Sequence, residues 1–224
     1  MTVKPRTRVA PRILERPTAK RKAEPTGLSR DTIRTAALRL IDDDGLAAFS
    51  TRKLGRLLGC EAMAIYWYYP SKDALLDAVV DKLMESVARV VTTSTDGDCI
   101  AALREVAHAY RRLAHEHPKA FPLLATRRFS SDGAYGFLEK LFELAHRLNI
   151  DDRVAARFYR VVSSYCNGFA LNELATPPQP SGTSALRRRF PRTAAVSTWL
   201  EPRYLDEMFT FGLELQLAAL AREA

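Results

Sequence analysis

The sequence lacks any apolar run of the roughly 18 residues needed to cross a bilayer, because Asp, Glu, Lys or Arg interrupts every long helical stretch. No membrane partner is therefore expected. It also lacks an apolar segment behind its first charges: residues 1–28 alternate Arg, Lys, Pro and Thr around the single pair Ile13-Leu14. An export signal needs such a segment, so a cytoplasmic location is expected. Cysteine is scarce and odd in number, with Cys60, Cys99 and Cys166 far apart and no C-x-x-C pair. That usage points to reduced thiols rather than zinc or a redox couple. There is no G-x-S-x-G elbow, no phosphate-cradling glycine-rich loop, and no catalytic pair recognisable by spacing. Neither an enzyme nor a bound cofactor is expected. No segment alternates as a strand does, and no repeat of 20–50 residues is visible, which leaves an all-α fold.

What is abundant is positive charge and helical periodicity. The chain has 34 Lys+Arg against 26 Asp+Glu, a net charge of +8 at pH 7, which favours polyanionic partners. Eight basic residues (Lys4, Arg6, Arg8, Arg12, Arg16, Lys20, Arg21, Lys22) and four prolines fall in residues 1–28, too little apolar material for a core. This arm is expected to be disordered in isolation, either as a solvated tail or as an arm that enters the minor groove or tracks phosphates. Periodicity starts at Ser29, a fitting N-cap, with Ile33, Ala36, Ala37, Leu40 and Ile41 on one face and Gly45 as the stop. A second helix starts at Ser50 or Thr51, with Leu54, Leu57 and Leu58 on its packed face. It breaks at Gly59-Cys60, and a third short stretch runs from Glu61 to Tyr69. Ser71 caps a long helix through Leu75, Leu76, Val79, Val80, Leu83 and Val87 toward a Thr92–Asp98 loop. Further helices are read at about 98–116, 118–126, 133–148, 151–175 and 203–222, with residues 176–202 as a flexible, Pro- and Arg-rich loop. The Arg187–Arg189 run in that loop is left without a role.

Residues 50–69 have the anatomy of a helix-turn-helix, with Ile65 and Tyr69 turned inward four residues apart. The third helix, roughly 10 Å long at ~1.5 Å per residue, fits a major groove about 12 Å wide. If Ile65 and Tyr69 face the core, Met63, Tyr66 and Trp67 fall largely on other faces, where nucleic acid would cover them. Thr51, Arg52 and Lys72 flank that helix as phosphate donors.

The run Thr51-Arg52-Lys53-Leu54, then Leu58-Gly59, then Ile65-Tyr66-Trp67-Tyr68-Tyr69-Pro70-Ser71-Lys72-Asp73-Ala74-Leu75-Leu76 resembles the signature of the TetR family of transcriptional regulators. By that resemblance Thr51, Arg52, Tyr66, Tyr68 and Lys72 match positions that contact the DNA backbone, and Ala62 and Met63 match base-reading positions. Tyr68 stands where the family often has His, and Ala62 where the tetracycline repressor has a base-reading Gln, so no operator sequence is carried over. His117-Pro118, Tyr165-Cys166-Asn167-Gly168 and Phe209-Thr210-Phe211-Gly212-Leu213-Glu214 resemble, more loosely, the ligand-binding and dimerisation domain of the tetracycline-repressor branch.

The expected organisation is an arm (1–28), a DNA-binding domain (29–75) and a ligand-binding and dimerisation domain (76–224). A two-turn helix reads too few base pairs alone, so a homodimer on a palindromic duplex is expected. Its interface is placed on Val161, Val162, Tyr165, Phe169, Leu205, Phe209, Leu213 and Leu217, and the resemblance implies a four-helix bundle there. A small-molecule effector is placed among His108, Tyr110, Arg127, Phe129, Phe137, Phe142, Tyr159 and Asn167, which mix aromatic bulk with polar handles. No metal is expected: His108 and His115 stand two turns apart, and His115 and His117 diverge on a helix. The most favoured function is a repressor released by an effector. The rivals are an effector-independent architectural DNA binder and, further off, an all-α enzyme using the same cavity.

Overall fold

The structure, a computed structural model, describes residues 27–93, 99–127, 131–175 and 187–223, and among these there are helices and turns but no strand. The helices are α1 (Arg30–Asp44), α2 (Thr51–Leu58), α3 (Ala62–Tyr66), α4 (Lys72–Thr93), α5 (Cys99–Glu116), α6 (Phe121–Thr126), α7 (Asp132–Arg147), α8 (Asp152–Leu174), α9 (Pro191–Val196) and α10 (Leu205–Leu220).

Local chemistry sets their ends. At α1, Ser29 Oγ accepts from the Thr32 amide at 3.1 Å and Thr32 Oγ1 accepts from the Ser29 amide at 2.8 Å, a reciprocal capping box. Gly45, at φ 83°, closes the helix by donating to the Ile41 carbonyl. Ser50 and Ser71 cap α2 and α4 through the amides of Lys53 and Ala74. Gly59 ends α2 in the left-handed region at φ 66°, a conformation that costs glycine nothing and other residues about 1 kcal/mol. That reversal brings the Cys60 amide onto the Gly55 carbonyl at 2.9 Å and turns the chain into α3.

The head formed by α1, α2, α3 and the start of α4 is centred on Ile33, Leu54, Ile65, Tyr69 and Leu75, all at most 2% exposed. Leu57 departs from the expected packing and is 58% exposed, because an eight-residue helix lying on Leu54 and Gly55 turns position 57 to solvent. The same apolar cluster runs on without a break along α4, through Val79, Leu83 and Val87, to Leu113, Phe121 and Phe137. The boundary expected at residue 75 therefore falls inside a continuous helix and a continuous core.

Polar ties reinforce that continuity. His117 Nδ1 lies 2.7 Å from Asp42 Oδ2, Lys119 Nζ donates to the Asp43 carbonyl at 2.5 Å, and Ser131 Oγ bonds Asp81. The central helix α5 packs against α4, α7, α8 and α10. Arg111 is its anchor: it pairs with Glu173 of α8 at 2.5 Å and Asp206 of α10 at 2.7 Å, over the rings of Phe169 and Phe209.

Part of the stretch expected to be loop is helical. Residues 176–186 lie outside the described residues, but α9 occupies Pro191–Val196, and single 3-10 turns follow at Ser197–Leu200 and Pro202–Tyr204. Pro191 and Pro202 sit at first helical positions, where the missing N–H is not needed, so these prolines start turns rather than forbid them.

Candidate nucleic-acid interface and enclosed cavity

The head leaves one apolar face uncovered. Ile65 and Tyr69 are 1% and 2% exposed, so the inward direction read from their spacing holds. Met63 and Trp67, four residues apart on the opposite side of α3, are 67% and 87% exposed. A protomer that leaves an indole this open next to a methionine and Leu57 has a surface suited to a partner. Around it stand exposed Arg52, Arg56 and Lys72. Lys72 Nζ rests 3.4 Å from the Phe49 carbonyl and over the Phe49 ring, at the amino end of α4. Thr51 Oγ1 and the Tyr66 hydroxyl are 3.4 Å apart, which draws two of the expected backbone contacts together. Ala62 opens α3 and is partly exposed. Tyr68 has a structural engagement as well: its hydroxyl donates to the Leu28 carbonyl at 3.0 Å, and its own carbonyl accepts from Arg30 at 2.7 Å. Arg56 was not singled out in the sequence and Leu57 was placed on the packed face, because their place beside α3 follows from the reversal at Gly59. The basic arm lies outside the described residues.

A second feature is a partly open cavity of about 580 Å³ lined by α4 to α8 and α10, within the usual range for small-molecule sites. Tyr110, Arg127, Phe137, Phe142, Tyr159 and Asn167 all line it, so six of the eight expected ligand residues converge. Phe129 lies outside the described residues. His108 does not line the cavity; it packs edge-on against Phe209, with centroids 5.3 Å apart. The Tyr110 hydroxyl donates to Asn167 Oδ1 at 2.5 Å, and burial pushes its pKa well up. Phe142 and Tyr159 meet edge to face at 5.7 Å. Cys166 also faces this space, and burial pushes its thiol up to about 12, which removes it as a nucleophile near neutral pH. Phe158, Arg160 and Ser163 were missed by sequence reasoning, since only the packing of α8 against α7 brings partly buried Phe158 and Ser163, and exposed Arg160, to the cavity.

The sequence matches "Bacterial regulatory proteins, tetR family" over residues 33–79 and "Tetracyclin repressor-like, C-terminal domain" over residues 93–223. The chain belongs to the TetR family. Among its relatives is tetracycline repressor protein class G of Vibrio anguillarum, 25% identical over 88% of this chain and 95% of that protein. Another is an HTH-type transcriptional regulator of Saccharopolyspora erythraea, 35% identical over 48% of this chain but only 44% of that protein, so the match spans less than half of that relative. The crystal structure of a possible TetR family transcriptional regulator from Streptomyces coelicolor A3(2) superposes with a TM-score of 0.72 at 26% identity, covering 86% of this chain and 98% of that one.

Set against this TetR architecture, the expected dimer residues divide. Phe209, Leu213 and Leu217 are at most 2% exposed and pack with Cys166 inside the protomer. Tyr165 stacks on Phe209 at 5.6 Å and donates to its carbonyl at 2.9 Å, Phe169 meets the same ring, and Val162 lines the cavity. Leu205 is half-buried at the start of α10. These residues form the seam between α5, α8 and α10 rather than a surface. Of the eight, Val161 alone is open, at 54%. The uncovered apolar residues of α10 are Phe211 and Leu215, 67% and 59% exposed, with exposed Ala218 one turn on; on α8 the matching stripe is Val161, Ser164, Gly168 and Leu171. Among the described residues no helix is long and apolar enough to cross a membrane, and no group of His, Cys, Asp and Glu could hold a metal ion.

Proposed function

We propose that this TetR-family chain is a homodimeric, sequence-specific DNA-binding regulator whose grip on its operator is released by a small molecule in the α4–α8 cavity. The observation that carries the proposal is the open face of α3, where Trp67 is 87% exposed on a head whose other aromatic side chains are buried or partly buried. In this reading α3 enters the major groove with Ala62 and Met63 toward base edges. Trp67 covers the adjoining backbone, while Thr51, Arg52, Tyr66, Tyr68 and Lys72 hold phosphates. The outward stripes of α8 and α10 pair with those of a second copy, which places two heads on one duplex. The aromatic-lined cavity, and a relative named as a tetracycline repressor, support the effector half of the reading. Only a ligand with different affinity for the two head spacings can shift the equilibrium.

The test is capture of genomic fragments by the purified full chain, followed by titration of the enriched duplex against a shuffled one. A specificity ratio of about 10³ or more is expected for a regulator. A ratio near one contradicts it and favours the architectural binder.

A further inference from the structure

The residues that line the cavity carry an unbalanced charge. Arg127 and Arg160 are the two formally charged groups on its described wall, and no Asp, Glu or Lys faces it. Arg127 is held from behind: its guanidinium bonds Asp73 Oδ1 at 2.6 Å and Asp77, both on the first turns of α4, directly after Lys72. Arg160 has no acidic partner among the described residues. The remaining polar groups include one open amide donor and two hydroxyls left only to accept. With Asn167 Oδ1 occupied by the Tyr110 hydroxyl, the Asn167 amide nitrogen has no protein acceptor among the described residues. Thr126 and Ser163 spend their hydroxyl protons on the carbonyls of Pro122 and Arg160. The rest of the wall is aromatic and aliphatic, with Phe137, Phe142, Phe158 and Tyr159 prominent.

An anion would find the Arg127 and Arg160 guanidiniums and the Asn167 amide as donors, whereas a ligand without an acceptor group would leave them unanswered. We infer that the effector is an aromatic anion whose acidic group engages Arg127, reinforced by Arg160, while its rings fill the Phe-lined wall. Because Arg127 is shared with Asp73 and Asp77, the anion competes with the first turns of α4, next to the DNA contacts. The coupling is reciprocal: loosening the α4 carboxylates tightens the anion by the same factor that the anion loosens them. This deepens the regulator reading by naming the effector's class and the residue it acts through.

The test uses the full chain without DNA and two fluorescent probes that share one ring system, anionic 8-anilinonaphthalene-1-sulfonate and neutral N-phenyl-1-naphthylamine. The sulfonate is expected to bind one per chain, at least tenfold more tightly than the neutral amine. Arg127→Gln is expected to cost the sulfonate at least tenfold and the amine less than twofold, and Arg127→Lys to recover part of the loss. Should Arg127→Gln fail to fold, Asp77→Asn decides, since it leaves the cavity wall intact and is expected to tighten the sulfonate severalfold without moving the amine. Equal binding of the two probes, a sulfonate affinity indifferent to Arg127→Gln, or no tightening in Asp77→Asn overturns the inference. No duplex is present, so a chain that ignores DNA would defeat the regulator reading and leave this result standing.

Discussion

Trp67 contributes nothing to the packing of its own protomer, and this separates its two conceivable roles. A tryptophan that served the core could not be removed without a cavity costing about 3–5 kcal/mol. At 87% exposure, Trp67→Ala is expected to leave the unfolding free energy within about 0.5 kcal/mol of the parent. Its inward neighbours are legible from sequence because Ile65 and Tyr69 must share a face, and their burial bears this out. Tyr68 is less legible: its bond to Leu28, forty residues away, has no local signature. Cys166 supplies a second test at this scale. With its thiol pushed up to about 12, only about one molecule in ten thousand is thiolate at pH 8. Iodoacetamide in native buffer should therefore spare Cys166 and reach it only after unfolding; rapid native labelling would contradict the burial described for α8.

At the scale of elements, α2 and α3 are joined by a turn with no room to spare. A Cβ on Gly55 would stand 2.7 Å from the Cys60 carbonyl oxygen and 3.2 Å from the Ala62 amide, both backbone atoms. Gly55→Ala must push the reading helix off α2 and is expected to cost about 1–3 kcal/mol in urea denaturation, with DNA affinity falling alongside. The sequence indicates Gly59 as a stop but gives no hint of the closeness at Gly55, since that arises from the reversal itself. The α10 helix shows a different limit. Both Phe209-Leu213-Leu217 and Phe211-Leu215-Ala218 are apolar at helical spacing, so periodicity alone cannot say which stripe faces inward. What decides it is packing: Tyr165 and the Arg111–Glu173 pair occupy the side that Phe209 faces. Glu173 is 2% exposed, and Glu173→Ala would leave the Arg111 charge buried with only the solvent-exposed Asp206 against it. A loss of about 3–5 kcal/mol is expected from such a break, read as a lower denaturant midpoint.

For the whole molecule, head and bundle share one apolar cluster through α4, with Arg127 and His117 as further polar links. Such a body can carry a shift at the cavity to the reading helix without a hinge loop, because a close-packed apolar cluster transmits displacement along α4. In the proposed dimer the partner subunit packs on the outward stripes. Phe211→Asp with Leu215→Asp is expected to yield a folded monomer in sedimentation, whereas Phe209→Asp should unfold the seam. A double variant that remains a dimer would move the interface elsewhere. The general plan of helices, head and cavity was legible because each rests on periodicity, caps and turn residues; which of the two apolar stripes of α10 the protomer consumes was not, because both carry the same spacing. The most direct measurement of the central claim is operator titration of Met63→Ala/Trp67→Ala against the parent chain on the enriched duplex, with thermal unfolding and sulfonate binding followed in parallel. The account expects unfolding and sulfonate binding to match the parent while affinity for the enriched duplex falls at least tenfold toward that for shuffled DNA; a double variant that binds the operator as tightly as the parent contradicts it.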